Sequence, residues 1–207
     1  MFTHFIEDIT TTPTWNLRFE SVHVDQHAAV FHPQNPDLVI LGNDGGVYLS
    51  EDGGITSQKL NGLPITQFYR GTMDEQYPER LYGGTQDNGT NRTLTGNVDD
   101  WEEINGGDGF FVLVDPTDNN FIYSESQNGV FARSINGGQS FVSALNGFQS
   151  SRNNWNTPVV FDPNNSEVLY MGGNRLNKSV NRANSWNPIS PDSVSYTHLT
   201  LPTICSV

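Results

Sequence analysis

Cysteine is almost missing from this sequence, lysine is scarce, and no apolar run is long. The single cysteine of the 207 residues is Cys205, so no disulfide can close within the chain. No window of about 18 apolar residues occurs, which excludes a membrane-spanning helix. No segment sustains the periodicity of an amphipathic helix, so little helix is expected. The start, Met1-Phe-Thr-His-Phe-Ile-Glu-Asp8, lacks the basic segment and apolar stretch of a signal peptide. Lys and Arg together number 10 against 23 Asp and Glu, a net charge of −13. Such a field repels phosphate and argues against nucleic acid as a partner. No phosphate-binding loop and no nucleophile elbow is found, and no cofactor is expected.

Turn formers are abundant, with 20 Gly and 11 Pro. The stretch Gly42-Asn-Asp-Gly-Gly-Val-Tyr-Leu-Ser-Glu-Asp-Gly-Gly-Ile-Thr56 reads as a tight turn, a short alternating strand and a second tight turn. The segment before it, Phe31-His-Pro-Gln-Asn-Pro-Asp-Leu-Val-Ile-Leu-Gly42, has copies beginning at Met73, Val114 and Phe161. They align on Pro33, Glu75, Pro116 and Pro163. A period of roughly 40–50 residues, filled with short strands and turns, predicts an all-β fold of β-propeller blades.

The second turn recurs in register. Ser50-Glu-Asp52, Ser134-Ile-Asn136 and Ser179-Val-Asn181 each lead, after three further residues, to Thr56, Ser140 or Ser185. The pattern resembles the Asp-box, or bacterial neuraminidase repeat, a turn between the two outer strands of a blade. Short polar side chains at such positions hydrogen-bond their own turn, so a structural role is expected for all six residues. The second repeat, near Asn91-Arg-Thr93, has lost the pattern.

Four four-stranded blades are expected, at about 21–63, 64–105, 106–147 and 148–193, as part of a larger ring. Residues 1–20 read as the remnant of a preceding blade or a linker. From Val194 the chain reads Val-Ser-Tyr-Thr-His-Leu-Thr-Leu-Pro-Thr203, which matches one frame of a transposase adapter used in sequencing libraries. Residues 194–207 are therefore expected to be non-native, and the chain a fragment.

Alternation of strand direction sorts the loops of a propeller onto two faces. One face collects the unusual polar residues, and Asp44, Asp87, Asn88, Gln127, Asn128 and Trp155 are its expected ligand-binding residues. Asp25, Gln67, Asp108 and Trp155 hold equivalent positions, one per blade. Asp25 and Asp108 are thus candidates for the pair of carboxyl groups that glycoside hydrolysis needs, with Asp44 and Asp87 as another pair. Each of these aspartates can equally cap its own glycine turn. His23, Asp25 and His27, spaced by two, would share one face of a strand and are weak candidates for a metal site.

Taken together, His23-Val-Asp-Gln-His-Ala28, Gln86-Asp-Asn-Gly89, Gly106-Gly-Asp-Gly-Phe-Phe111 and Glu125-Ser-Gln-Asn-Gly129 resemble one family. It is that of secreted Asp-box propellers related to sortilin and to xyloglucanase-like glycoside hydrolases. The resemblance covers roughly Ser21 to Trp186. It implies export to the periplasm or the exterior and a protein or carbohydrate ligand on the polar face. It also leaves open a glycosidase, or a structural module of a larger surface protein.

Overall fold

A computed structural model describes residues 22–61, 63 and 65–193. The expected N-terminal remnant and the adapter-like tail lie outside these residues. Among these described residues sixteen strands form four antiparallel sheets of four, each a simple meander. The chain divides into two compact units, Met1–Ile65 and Thr66–Val207.

The first unit holds one sheet. Its strands are β1 (Gln26–His32), β2 (Asn35–Asn43), β3 (Gly46–Ser50) and β4 (Gln58–Lys59), paired in that order. Val39, Leu41 and Tyr48 are buried, with Val22, Ala29 and Phe31 packed on them. One expectation fails here. Asp25 has φ +59°, and β1 begins only after it. A left-handed residue breaks the alternation, so His23, Asp25 and His27 do not line one face of a strand.

The second unit holds three sheets. Blade B comprises β5 (Phe68–Met73), β6 (Leu81–Thr85), β7 (Thr90–Thr93) and β8 (Glu102–Asn105). Blade C comprises β9 (Gly109–Val114), β10 (Ile122–Ser126), β11 (Val130–Ser134) and β12 (Val142–Ser143). Blade D comprises β13 (Val159–Asp162), β14 (Asn165–Gly172), β15 (Leu176–Ser179) and β16 (Asn187–Pro188). Phe110, Val112, Ile122, Val159 and Leu169 supply the β-branched and aromatic or aliphatic side chains that fill a pleated, covered surface.

Blade C is covered on both faces, and every residue of β10 is buried. Successive side chains point opposite ways, so Ile122 joins Tyr82, Val112 and Val114 in one cluster while Tyr123 joins another. The second cluster contains Phe131, Leu169, Met171 and Trp186. Trp186 fills it with an edge-on ring against Phe131 and donates its indole N–H to Ala144 O at 2.7 Å. A buried indole N–H left without an acceptor would cost about 1–3 kcal/mol. Strands β6 and β9 approach backbone to backbone, where a Cβ on Gly84 would lie 2.3 Å from Gly109 and Phe110 atoms.

Candidate functional site

Meander topology places the β2–β3, β6–β7, β10–β11 and β14–β15 loops at the same end of their sheets as the segment that enters each first strand. The polar residues singled out from sequence sit in these loops.

In the first unit, Asn43 ties its loop to the entering segment. Its amide donates to His23 O at 3.1 Å and to Gln26 Oε1 at 3.2 Å, and its Oδ1 caps Gly45 N–H at 3.0 Å. His27 Nε2 meets Asp44 Oδ1. Asp25 is exposed and Asp44 half-buried.

In the second unit the same device runs from blade to blade. Asp108, just before β9, accepts the backbone N–H of Asp87 on Oδ1 at 2.8 Å. Asp87 needs that support because it sits in the left-handed region with φ +57°. Asp108 N–H in turn donates to Gln127 Oε1 at 2.9 Å. Asn128, also left-handed at φ +62°, donates its N–H to Trp155 O at 3.0 Å, and Asn153 Nδ2 donates to Asn128 O at 2.9 Å. Asn88 Nδ2 closes on Gln86 O at 2.9 Å within its own turn. Asp87, Asp108, Gln127, Asn128 and Trp155 are thus brought together as one hydrogen-bonded run across three blades. Its backbone and side-chain groups largely satisfy each other. Asp108 is 8 % exposed and its carboxylate is engaged.

Trp155 is the exception to this inward bonding. Its main chain anchors Asn128 while its side chain is 48 % exposed. The ring stands edge-on to the buried Phe110, centroids 5.9 Å apart, and Phe110 is itself stacked on Tyr69 at 4.6 Å. A large ring packed against a buried neighbour and nearly half exposed, on a segment rich in asparagine (Asn153, Asn154 and Asn156), can bind a ligand by stacking.

Sequence reasoning missed Glu125, at the end of β10. It is fully buried, and Oε1 accepts the Thr157 N–H at 2.9 Å. Oε2 has no hydrogen-bond partner among the described residues. Burial pushes its carboxyl up to about 7, against the opposing pull of the N–H groups of Thr157, Phe111 and Gly129. A signal for it was available. The repeat alignment places Glu125 in the register of Gly42, Gly84 and Gly172. Through Thr157 it braces the segment that carries Trp155.

The opposite end of the sheets holds the repeated serine turns. In each, the serine hydroxyl donates to the Asp or Asn two residues on, at 2.9, 2.8 and 3.0 Å for Ser50–Asp52, Ser134–Asn136 and Ser179–Asn181. The same oxygen accepts an N–H from Gly54, Gly138 or Ala183. The Asp or Asn then accepts the N–H of Thr56, Ser140 or Ser185. All six residues are occupied within their turns. Blade B, where the pattern is lost in sequence, rebuilds part of it. Thr93 donates to Asp100 Oδ1 and accepts Gly96 N–H at 2.9 Å, and Thr95 Oγ1 donates to Asp100 Oδ2 at 2.7 Å. Asp100 does from the far side of the turn what Asp52 does from the near side.

No family model matches the chain, and no curated protein matches it. Solved structures do. An ancestral GH74 enzyme matches with a TM-score of 0.52 at 21 % identity, over 83 % of this chain and 25 % of its own. The GH74 enzyme of Niastella koreensis gives 0.45 at 22 % identity, over 86 % and 32 %. YCF48 from Cyanidioschyzon merolae gives 0.43 at 15 % identity, over 83 % and 57 %. The chain spans about a quarter of the ancestral enzyme's length. With this likeness the four sheets are those of a β-propeller, and a part of a larger propeller fits them. Among the described residues no helix is long and apolar enough to cross a membrane.

Proposed function

We propose that this chain is part of an exported propeller protein that binds carbohydrate on the loop face around Trp155. The observation that carries the reading is the exposed indole, set edge-on against the buried Phe110 on a segment that also carries Asn153, Asn154 and Asn156. Sugars are bound by such a platform through their apolar C–H faces, with amides for the hydroxyl groups. Three turns with the same hydrogen-bond scheme support the likeness to Asp-box propellers related to sortilin and xyloglucanase-like hydrolases, and with it export. A peptide ligand on the same face is the other occupant this surface admits.

Binding is favoured over hydrolysis by the state of Asp108. A glycosidase acid has to reach the glycosidic oxygen. Asp108 is buried and spends Oδ1 on the Asp87 turn. The test is to titrate the chain with soluble oligosaccharides from plant cell-wall polysaccharides, following tryptophan fluorescence, and to assay new reducing ends in the same tubes. Saturable quenching without release of reducing ends is expected. Release that Asp108→Asn abolishes would overturn the binding reading in favour of the hydrolase.

A further inference from the structure

A second site lies at the opposite end of the sheets, in the groove between the serine turns of blades C and D. It is an open groove of about 590 Å³, lined among others by Phe121, Arg133, Ile135, Glu167, Val180 and Arg182. Arg133 is the group in it whose chemistry is incomplete.

The repeat supplies the comparison. Arg92 on β7 and Arg133 on β11 hold the same register, opposite Tyr82 and Tyr123 respectively. Each sends Nη1 to a carbonyl in the next blade's serine turn, Gly137 O for Arg92 and Arg182 O for Arg133. The two differ on the other side. Arg92 faces Glu102 on β8, and its Nε donates to Glu102 Oε1 at 2.7 Å. Arg133 faces Val142 on β12, and its Nε has no partner among the described residues. Arg182 is already paired, with Asp115 at 3.1 Å and with Glu167 at 3.1 Å. The unneutralised charge in the groove is therefore that of Arg133. Holding a shielded guanidinium N–H unpaired is costly, and a carboxylate is the group that satisfies it in blade B.

We propose that this groove docks an acidic peptide segment of a partner protein, whose Asp or Glu carboxylate neutralises the Arg133 guanidinium from the groove side, as Glu102 neutralises Arg92 from within its own sheet. The flanks suit such a segment, because Ile135, Val142 and Val180 are all exposed apolar side chains around the guanidinium. Among the described residues the outer edge of β12 bears no further strand, which leaves room for an extended chain. A chain of net charge −13 gives an acidic peptide no long-range attraction. Recognition is therefore short-range, by one charge-assisted contact inside an apolar frame. The site stands independently of carbohydrate binding at Trp155.

The test uses the full chain and two fluorescein-labelled hexapeptides, one with a central Val-Glu-Ile and one with Val-Gln-Ile, in anisotropy titrations. The Glu peptide should bind saturably, about tenfold or more tighter than the Gln peptide. Val142→Glu should abolish that binding while leaving the thermal melt intact, because it installs in this blade the carboxylate that blade B already has. Arg133→Gln should erase the preference for Glu over Gln. Equal binding of the two peptides, unchanged binding by Val142→Glu, or no saturable binding of the Glu peptide up to millimolar concentration would each overturn the proposal.

Discussion

The carboxylate of Asp108 holds the backbone N–H of Asp87 at 2.8 Å, so one aspartate supports the turn of the other. Asp108 and Asp87, which the sequence offers as members of two different acid pairs, with Asp25 and Asp44 respectively, are joined by a side-chain to main-chain hydrogen bond. Asp87 stays left-handed because its N–H is satisfied by a buried acceptor from the next blade.

Removing that acceptor has a defined cost. Asp108→Ala removes the carboxylate that accepts the Asp87 N–H and should destabilise the chain by about 1–2 kcal/mol, whereas Asp108→Asn keeps an acceptor oxygen and should cost less than about 1 kcal/mol. Urea unfolding midpoints of the two variants measure the difference. Equal stability of both with the parent would show that the contact does not hold the turn.

Glu125 makes stability depend on pH. Its folded-state carboxyl titrates near 7, above the ordinary 4.5, so between those values the unfolded chain binds fewer protons. Stability from this group is therefore full below about pH 4.5 and is lost as pH rises through about 7. Glu125→Gln should flatten that decline and should raise stability at pH 8 relative to the parent, by on the order of 1–3 kcal/mol. Thermal melts of both proteins from pH 4.5 to 8 give the comparison. A parent curve as flat as the variant's would contradict the assignment.

Arg182 occupies a position where two other turns have glycine. It has φ +55°, matching Gly53 and Gly137 at +68° and +67°. Arg182→Gly relieves about 1 kcal/mol of backbone strain. It also strips the guanidinium from the fully buried Asp115, whose carboxyl is held below its usual range, against burial, by Ser166, Thr117 and Arg182. The second effect is larger, and a net loss of about 1–3 kcal/mol is expected. A double-mutant cycle with Asp115→Asn should recover most of it as coupling.

Asp52 is a local case, bonded to Ser50 and Thr56 within its own turn. Hydrogen bonds from the Thr56 hydroxyl and N–H, and from Ser50, hold its carboxyl down to about 2. Its contribution to the turn is present above the usual carboxylate range and is lost as pH falls through about 2. A carbon-detected NMR titration should place the midpoint there. Thr56→Val should move it upward, and an unmoved midpoint would remove Thr56 as the cause.

What could be read from the sequence was what is local and repeated. The turns at Ser50, Ser134 and Ser179 carry their own donors and acceptors within a few residues, so their pattern survives in the letters. The alternation of Val47, Tyr48 and Leu49 between glycine turns likewise marks a strand. Partnerships across blades leave no such trace. Nothing near Asp108 announces that its acceptor serves Asp87, and Asp100 rebuilds the blade B turn from a distance no simple spacing encodes. The His23–His27 reading failed because one backbone angle, at Asp25, cancels a two-residue period. Glu125 was legible, as the acid where other repeats have glycine.

The most direct measurement is affinity electrophoresis of the parent and Trp155→Ala in native gels containing xyloglucan, laminarin or mannan. Trp155 is half exposed, so its removal leaves the core intact. The parent should be retarded by at least one polysaccharide, and Trp155→Ala should migrate as it does in a gel without polysaccharide. A parent that none of the three retards, or a variant retarded as strongly as the parent, would contradict carbohydrate binding at this face.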